Sequence, residues 1–405
     1  MPYKLSQKIL ERYADVLVNF ALHDGKGIKE GEVVRLLAGE SAKPLYIEVR
    51  KTILRAGGHV ISKYIPDDDF QYQPLRDFYE LANEKQLKFF PKKYVRGLVE
   101  QIDHSIAIIS ERNKLVLEGI DPKKIMIATA AMKPFRDWLE KKEDKGKFTW
   151  TLGIYGTSEM ARHAKLTLNE YWQEIIKGCY LDEEDPIKKW RQVQKKINTY
   201  RDKLNRLVIE KLHITGEDVN LWIKLGAQRK WVGCQGRNIP SFEIFTSPDW
   251  RGTNGWIRFD QPRYHNEHLI KNIELEFKNG RVIKYKASRN QQYLKEMIEL
   301  PGADKVGEFS LTDGRFSRIT KFMAECLFDE NMGGSQGNTH IALGKSYHDC
   351  YKGELTKMTQ KNWRKLGFND SAIHADLVST KKRQVKAYLS SGSTKIIYKD
   401  GKFTI

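Results

Sequence analysis

The side chains best suited to chemistry lie in the second half of the chain. Glu243 stands in an apolar, proline-bounded run, Asn238-Ile239-Pro240-Ser241-Phe242-Glu243-Ile244-Phe245-Thr246-Ser247-Pro248, where a carboxylate needs a partner. Glu308 repeats that setting in Gly307-Glu308-Phe309-Ser310-Leu311, and Leu327-Phe328-Asp329-Glu330-Asn331 brings two acids to the end of an apolar segment. A glycine-spaced loop, Gly333-Gly334-Ser335-Gln336-Gly337, leads on to Thr339-His340-Ile341-Ala342-Leu343-Gly344-Lys345-Ser346-Tyr347, so Glu330 and His340 can approach one centre. In Ile373-His374-Ala375-Asp376-Leu377-Val378 an imidazole and a carboxylate are two residues apart, which on a strand turns both to the same face.

Taken singly, each of these groups reads as a hydrogen-bonded surface residue, and Glu243 or Glu308 alone would suit the wet side of an alternating strand. Jointly they balance. Glu243, Glu308, Glu330 and Asp376 supply four negative charges against the four positive charges of two divalent cations, and His340 and His374 complete a nitrogen-and-oxygen set. That set suits zinc, cobalt or manganese. Two such ions about 3.5 to 4 Å apart share a bridging water, lower its pKa towards neutrality and polarise a carbonyl, which is hydrolytic chemistry. Tyr347 is a candidate phenolic donor to an oxyanion, with core packing as its alternative reading. His348 and Asp349 read as a solvated turn. His23, His59, His104, His163, His213, His265 and His268 have no acidic companion at ligand spacing and are set aside.

The rest of the chain bounds this chemistry. With 405 residues, 40% hydrophobic and 30% charged, it is long enough for two or three cored domains and excludes a disordered or collagen-like protein. Cys179, Cys234, Cys326 and Cys350 are scattered without a C-x-x-C pair, against a disulfide framework. No apolar run reaches 18 residues and the opening Met-Pro-Tyr-Lys-Leu-Ser-Gln-Lys lacks a secretory pattern, so a cytoplasmic protein with no membrane partner is expected. The formal charge of +18 would attract nucleic acid. Its densest stretch, Lys188 to Lys211, carries Trp190, Val193, Ile197, Tyr200, Leu204 and Leu207 at helical steps, so those cations form the wet face of one long helix. Nucleic acid is accordingly disfavoured as a partner.

The elements that position the acids fall into two textures. Helical spacing over 9–22, a strand at 33–37, a helix from Ser41 to Leu54 and a strand at 59–65 give a strand, helix, strand unit. Further strands at 106–109 and 150–155, with a helix over 121–140, imply a mainly parallel sheet with flanking helices. No G-x-G-x-x-G or Walker loop accompanies it. The second texture is β-rich. Asn279-Gly280 and Asp400-Gly401 mark hairpins, and helices are expected at 291–300 and 318–327. The fold class is thus α/β, with an N-terminal α/β domain over 1–185 and a β-rich α+β catalytic domain over 186–405 that carries the metal site.

These residues resemble the metallo-aminopeptidase family typified by aminopeptidases T and S. Gly27-Ile28-Lys29-Glu30-Gly31-Glu32-Val33-Val34, Pro44-Leu45 and Ala56-Gly57-Gly58-His59-Val60 are similar to its opening strand and helix, and Asp185-Pro186-Ile187-Lys188-Lys189-Trp190 to its D-P-x-x-x-W segment. The Asn-x-Pro-x-x-Glu-x-Phe-Thr-x-Pro pattern, the Gly-Glu pair, Phe328-Asp329-Glu330-Asn331, His340-Ile341-Ala342-Leu343-Gly344 with Ser346-Tyr347, and His374-x-Asp376 follow in the family's order. After Asp376 the chain departs, with Leu377-Val378-Ser379-Thr380 in place of apolar residues and a glycine. The resemblance implies an exopeptidase that removes N-terminal residues from peptides with a free N-terminus, commonly a homodimer. Its two metal ions per chain would be zinc or cobalt first, with manganese and magnesium as further candidates, held by Glu243, Glu308, Glu330, His340, His374 and Asp376. Glu308 is the first choice for bridging ligand or general base, with Glu330 competing, and Tyr347 is the second catalytic candidate. The alternatives are a two-metal phosphoesterase or nuclease, against which count the two histidines and the want of an Arg or Lys beside the ligands in sequence, and a basic nucleic-acid-binding protein with a structural metal.

Overall fold

The computed structural model describes residues 5–265 and 268–405. The opening residues 1–4, part of the stretch read for a secretory pattern, lie outside them. The chain divides into two compact units, one of residues 1–195, 234–241 and 321–328, the other of 196–233, 242–320 and 329–405. Among the described residues no helix is long and apolar enough to cross a membrane.

The first unit is built on a four-stranded parallel sheet in the order His59–Ile65, Val33–Gly39, His104–Ile109, Thr149–Ile154. Alternate residues of the central strand, Val34, Leu36 and Ala38, are buried, whereas the edge strand His59–Ile65 is mostly exposed. The helix Gln7–Asn19 starts where the Ser6 hydroxyl accepts from the amide of Ile9, and it buries Leu10, Tyr13, Ala14 and Leu17. The amide of Ile154, at the end of the fourth strand, donates to the Tyr13 hydroxyl at 2.9 Å, which ties this helix to the sheet. The single helix expected over 121–140 is two, Pro122–Ala131 and Lys133–Glu143. Pro134 sits in the first turn of the second, where its missing N–H costs nothing and its ring ends the run before it.

The second unit is antiparallel. One sheet runs in the order Arg281–Lys286, Ile273–Lys278, Asp249–Phe259, Val219–Lys224, Ile209–Gly216, Arg383–Leu389, Thr394–Lys399, Lys402–Phe403. Both expected hairpins are present, and Asn279, Gly280, Asp400 and Gly401 all adopt the positive φ that such two-residue turns require. The helix expected over 318–327 is corrected to a single turn, Cys326–Asp329. Ala324 takes φ 52°, a left-handed conformation that interrupts a helix, and Ile319 and Met323 are buried from a non-helical segment instead.

A five-stranded sheet completes this unit, in the order His374–Ser379, Asn338–Gly344, Val306–Thr312, Glu243–Thr246, Val232–Gly233. Its three middle strands are buried at every position, so each polar side chain on them faces protein and not bulk water. A register shift between Val306 and Glu308 marks a bulge at Gly307. A Cβ there would collide with the carbonyl oxygens of Gly344 and Lys345, so only glycine lets the two strands approach at this point. We expect Gly307→Ala to destabilise the protein by about 1–3 kcal/mol through overpacking and to weaken metal binding by displacing Glu308. Chemical denaturation and metal titration of the variant check both effects.

Candidate metal centre

Strand register alone gathers five of the acids and imidazoles on one face. Asp376 pairs with Ala342 and Ala342 with Glu308, His374 pairs with Gly344, and His340 pairs with Ser310. Glu243 pairs with Thr312, two residues from Ser310. Because lateral partners and alternate residues share a face, Glu243, Glu308, His340, His374 and Asp376 project to the same side of the five-stranded sheet. Glu330 enters from outside it, just after the Cys326–Asp329 turn, while Thr312 and Asn338 bond to its backbone carbonyl.

The distances show two triads that share one carboxylate. His340 Nε2 lies 3.2 Å from Glu243 Oε2 and 3.3 Å from Glu308 Oε1. His374 Nε2 lies 3.4 Å from Glu308 Oε2 and 3.2 Å from Asp376 Oδ1. Glu308 therefore turns one oxygen to each triad. Ligands roughly 2.0–2.1 Å from a tetrahedral ion sit about 3.3 Å apart, so these spacings fit donors around a shared cation.

The protonation pattern tests that fit. His374 Nδ1 donates to the carbonyl of Lys345 at 2.8 Å, and a carbonyl has no proton to give back, so in the neutral ring Nε2 holds a bare lone pair aimed at two carboxylates. A proton on Nε2 satisfies the two carboxylates when the ring is an imidazolium, and a cation between them does so when the ring is neutral. His340 is 1% exposed, its Nδ1 has no hydrogen-bond partner, and Nε2 faces Glu243 and Glu308. The residues present fit divalent metal.

Electrostatics agree. Burial pushes Glu308 up, but the facing imidazoles of His340 and His374 outweigh it and hold the carboxyl below its usual range. Burial together with the nearby Asp376 and Glu243 drives Glu330 well above the ordinary carboxylate value. The two imidazoles move the other way. Burial alone would lower them, yet Glu243 and Glu308 raise His340, and Asp376 and Glu308 raise His374. Four carboxylates converging in a buried place attract whatever positive charge is available.

Tyr347 borders this centre. Its ring lies 4.7 Å from that of His374 and 5.7 Å from Phe245, its amide donates to Ser247 Oγ at 2.8 Å, and it packs against the apolar cluster of Val232, Phe245, Cys350, Trp363 and Phe368. The packing and the adjacency are both real. His348 corrects the solvated-turn reading, since its ring stacks on Trp363 at 4.1 Å. Two contributors had no signal in the sequence. Arg263 donates to the backbone carbonyl of Asp376 at 2.6 Å and lies 3.9 Å from its carboxylate, although it is 113 residues away along the chain. Ser310 donates to Glu243 Oε2 at 2.9 Å and orients that carboxylate.

Fold and donor set together define a metal-binding α/β protein. The chain belongs to the thermophilic metalloprotease (M29) family, which it matches over residues 6–403, and it is therefore a metal-dependent peptidase. Aminopeptidase AmpS of Bacillus subtilis (strain 168) is 25% identical over 421 residues, covering 98% of each chain. Aminopeptidase T of Thermus thermophilus is 23% identical over 417 residues, covering 98% of this chain and 99% of its own. A solved structure of wild-type AmpT from Thermus thermophilus superimposes with a TM-score of 0.82 at 21% identity, over 98% of this chain and 100% of that one, and shows the same fold.

Ser310→Ala removes a partner that orients a candidate ligand without touching the ligands. Metal affinity should fall about 10–100-fold with the fold retained, as outer hydrogen bonds to metal ligands usually contribute that much. Competition of the variant against a zinc chelator measures it.

Proposed function

We propose that this protein is an aminopeptidase that removes N-terminal residues from peptides, using two divalent cations held by Glu243, Glu308, Glu330, His340, His374 and Asp376. The observation that carries the two-ion reading is Glu308, whose two oxygens face two separate donor triads. The exopeptidase reading draws support from relatives named aminopeptidases that align from end to end. When bound, such a pair of ions lowers the pKa of a shared water and polarises the peptide carbonyl.

The chain's own groups then divide the work. Glu308 fixes the spacing of the two triads, which suits a bridging ligand and leaves little reach for proton transfer. Glu330 approaches from off the sheet and is the better placed of the two carboxylates to take the proton of the attacking water and pass it to the leaving amine. Tyr347, beside His374, donates its phenolic proton to the developing oxyanion. Arg263 steadies Asp376 from behind through its backbone carbonyl.

Nitrogen donors among hard carboxylates favour zinc or cobalt over manganese or magnesium. The family resemblance supports a homodimer, and sedimentation velocity reads the oligomeric state directly. Glu308→Gln keeps the side chain's size and removes its charge. Turnover should drop by about 10³-fold or more, through loss of the charge that holds the two ions, while the far-ultraviolet spectrum stays unchanged. The reaction class is tested by stripping the protein with a chelator, restoring zinc, cobalt, manganese or magnesium one at a time, and assaying free and N-acetylated peptides. Cleavage restored by metal for the free peptides only is expected; equal cleavage of the blocked peptides contradicts an aminopeptidase.

A further inference from the structure

The parallel-sheet unit contains a second cluster of metal-binding side chains that shares no residue with the centre described above. His23, Glu32 and His104 place one ligand atom each within 4.8 Å of one another. His23 Nε2 lies 3.1 Å from Glu32 Oε1, and His104 Nε2 lies 2.9 Å from Glu32 Oε2. The two imidazoles meet edge to face with centroids 4.6 Å apart. Set aside in the sequence because their acid is 9 and 72 residues distant, these histidines find it only through the fold.

We propose that His23, Glu32 and His104 bind a divalent transition-metal ion, zinc foremost, in a site of two imidazoles and one carboxylate. Three observations support this independently of the main centre. The three ligand atoms lie within 4.8 Å of one another, compact enough to surround one ion, with the carboxylate in hydrogen-bond reach of both imidazoles at 3.1 and 2.9 Å. The supporting contacts are those of metal ligands. His104 Nδ1 is bonded to Thr149 Oγ1 at 2.8 Å, which anchors the ring with Nε2 directed at the cluster, and the Lys29 amide donates to Glu32 Oε2 at 2.6 Å and orients the carboxylate. The site is also graded in access. His104 is 1% exposed and anchored, whereas Glu32 and His23 are 20% and 24% exposed, so a cation and its completing waters reach the ligands from solvent.

The position of the site defines its role. Glu32 immediately precedes the Val33–Gly39 strand, His104 opens the His104–Ile109 strand and pairs with both Val34 and Thr149, and His23 lies in the turn after the Gln7–Asn19 helix. An ion here joins three chain segments at the amino ends of the parallel strands. Ligand chemistry in open α/β sheets gathers at the opposite, carboxyl ends. The bound ion is therefore a structural clip, and its free energy adds to folding of this unit.

The test uses the full-length protein equilibrated with zinc, with bound metal per chain measured by plasma mass spectrometry. His23→Gln should carry one zinc ion fewer per chain than the unaltered protein, hydrolyse peptides at the same rate, and unfold at a lower temperature in zinc. Equal zinc content, or hydrolysis lost in step with the ion, overturns the proposal. If His23→Gln does not fold, Glu32→Gln reads the same difference from a partly exposed position. Crystals of the unaltered protein give an answer that needs no variant. A zinc-edge anomalous peak among His23, Glu32 and His104 is expected, and its absence at a zinc level that fills the other centre contradicts the clip.

Discussion

The second unit is organised around one electrostatic constraint, the convergence of Glu243, Glu308, Glu330 and Asp376 on two imidazoles in a buried place. Carboxylates so placed repel one another and have lost most of their water. The penalty for each is several kcal/mol unless positive charge enters among them. His340 and His374, even as imidazoliums, bring only two positive charges against four carboxylates. The arrangement is thus a poor core and a good cation trap, and the surrounding structure makes sense as the means of holding it open.

That holding is done by sheet geometry. Antiparallel pairing puts Asp376, Ala342 and Glu308 in one lateral row, and the small Ala342 between two acids leaves room above the sheet. The bulge at Gly307 shifts the register so that Glu308 falls into this row. Residues outside the donor set then orient its members. Ser310 bonds to Glu243, Arg263 to the backbone of Asp376, and the ring of Tyr347 closes the side next to His374. A site on a buried sheet has little freedom to relax, which suits chemistry that depends on the spacing of two ions.

The sequence disclosed features in proportion to how local they are. His374 and Asp376 are two residues apart on a strand, and period two alone puts them on one face, as found. Asn279-Gly280 and Asp400-Gly401 announced their hairpins because the turn needs positive φ at both positions. The parallel sheet followed from strands alternating with helices, and six of the acids and imidazoles stood out because polar groups in apolar runs require partners. Where competing local signals balance, reading fails. Apolar spacing over 318–327 fits a helix, but Ala324 in the left-handed region allows only its last turn. Long-range register leaves no local trace at all. Arg263 reaches Asp376, and His104 reaches Glu32, only because strands distant in sequence become neighbours, and the turn carrying His23 meets Glu32 through the same fold.

The account turns on Glu308 standing between two ions and not beside one. Electron paramagnetic resonance of the protein loaded with manganese reads that separation directly, since two ions about 3.5–4 Å apart, joined through a shared ligand, couple magnetically. A spectrum from a coupled pair, lost in Glu308→Gln, is the predicted result. Only the six-line pattern of isolated ions, at manganese concentrations that saturate the protein, would contradict it.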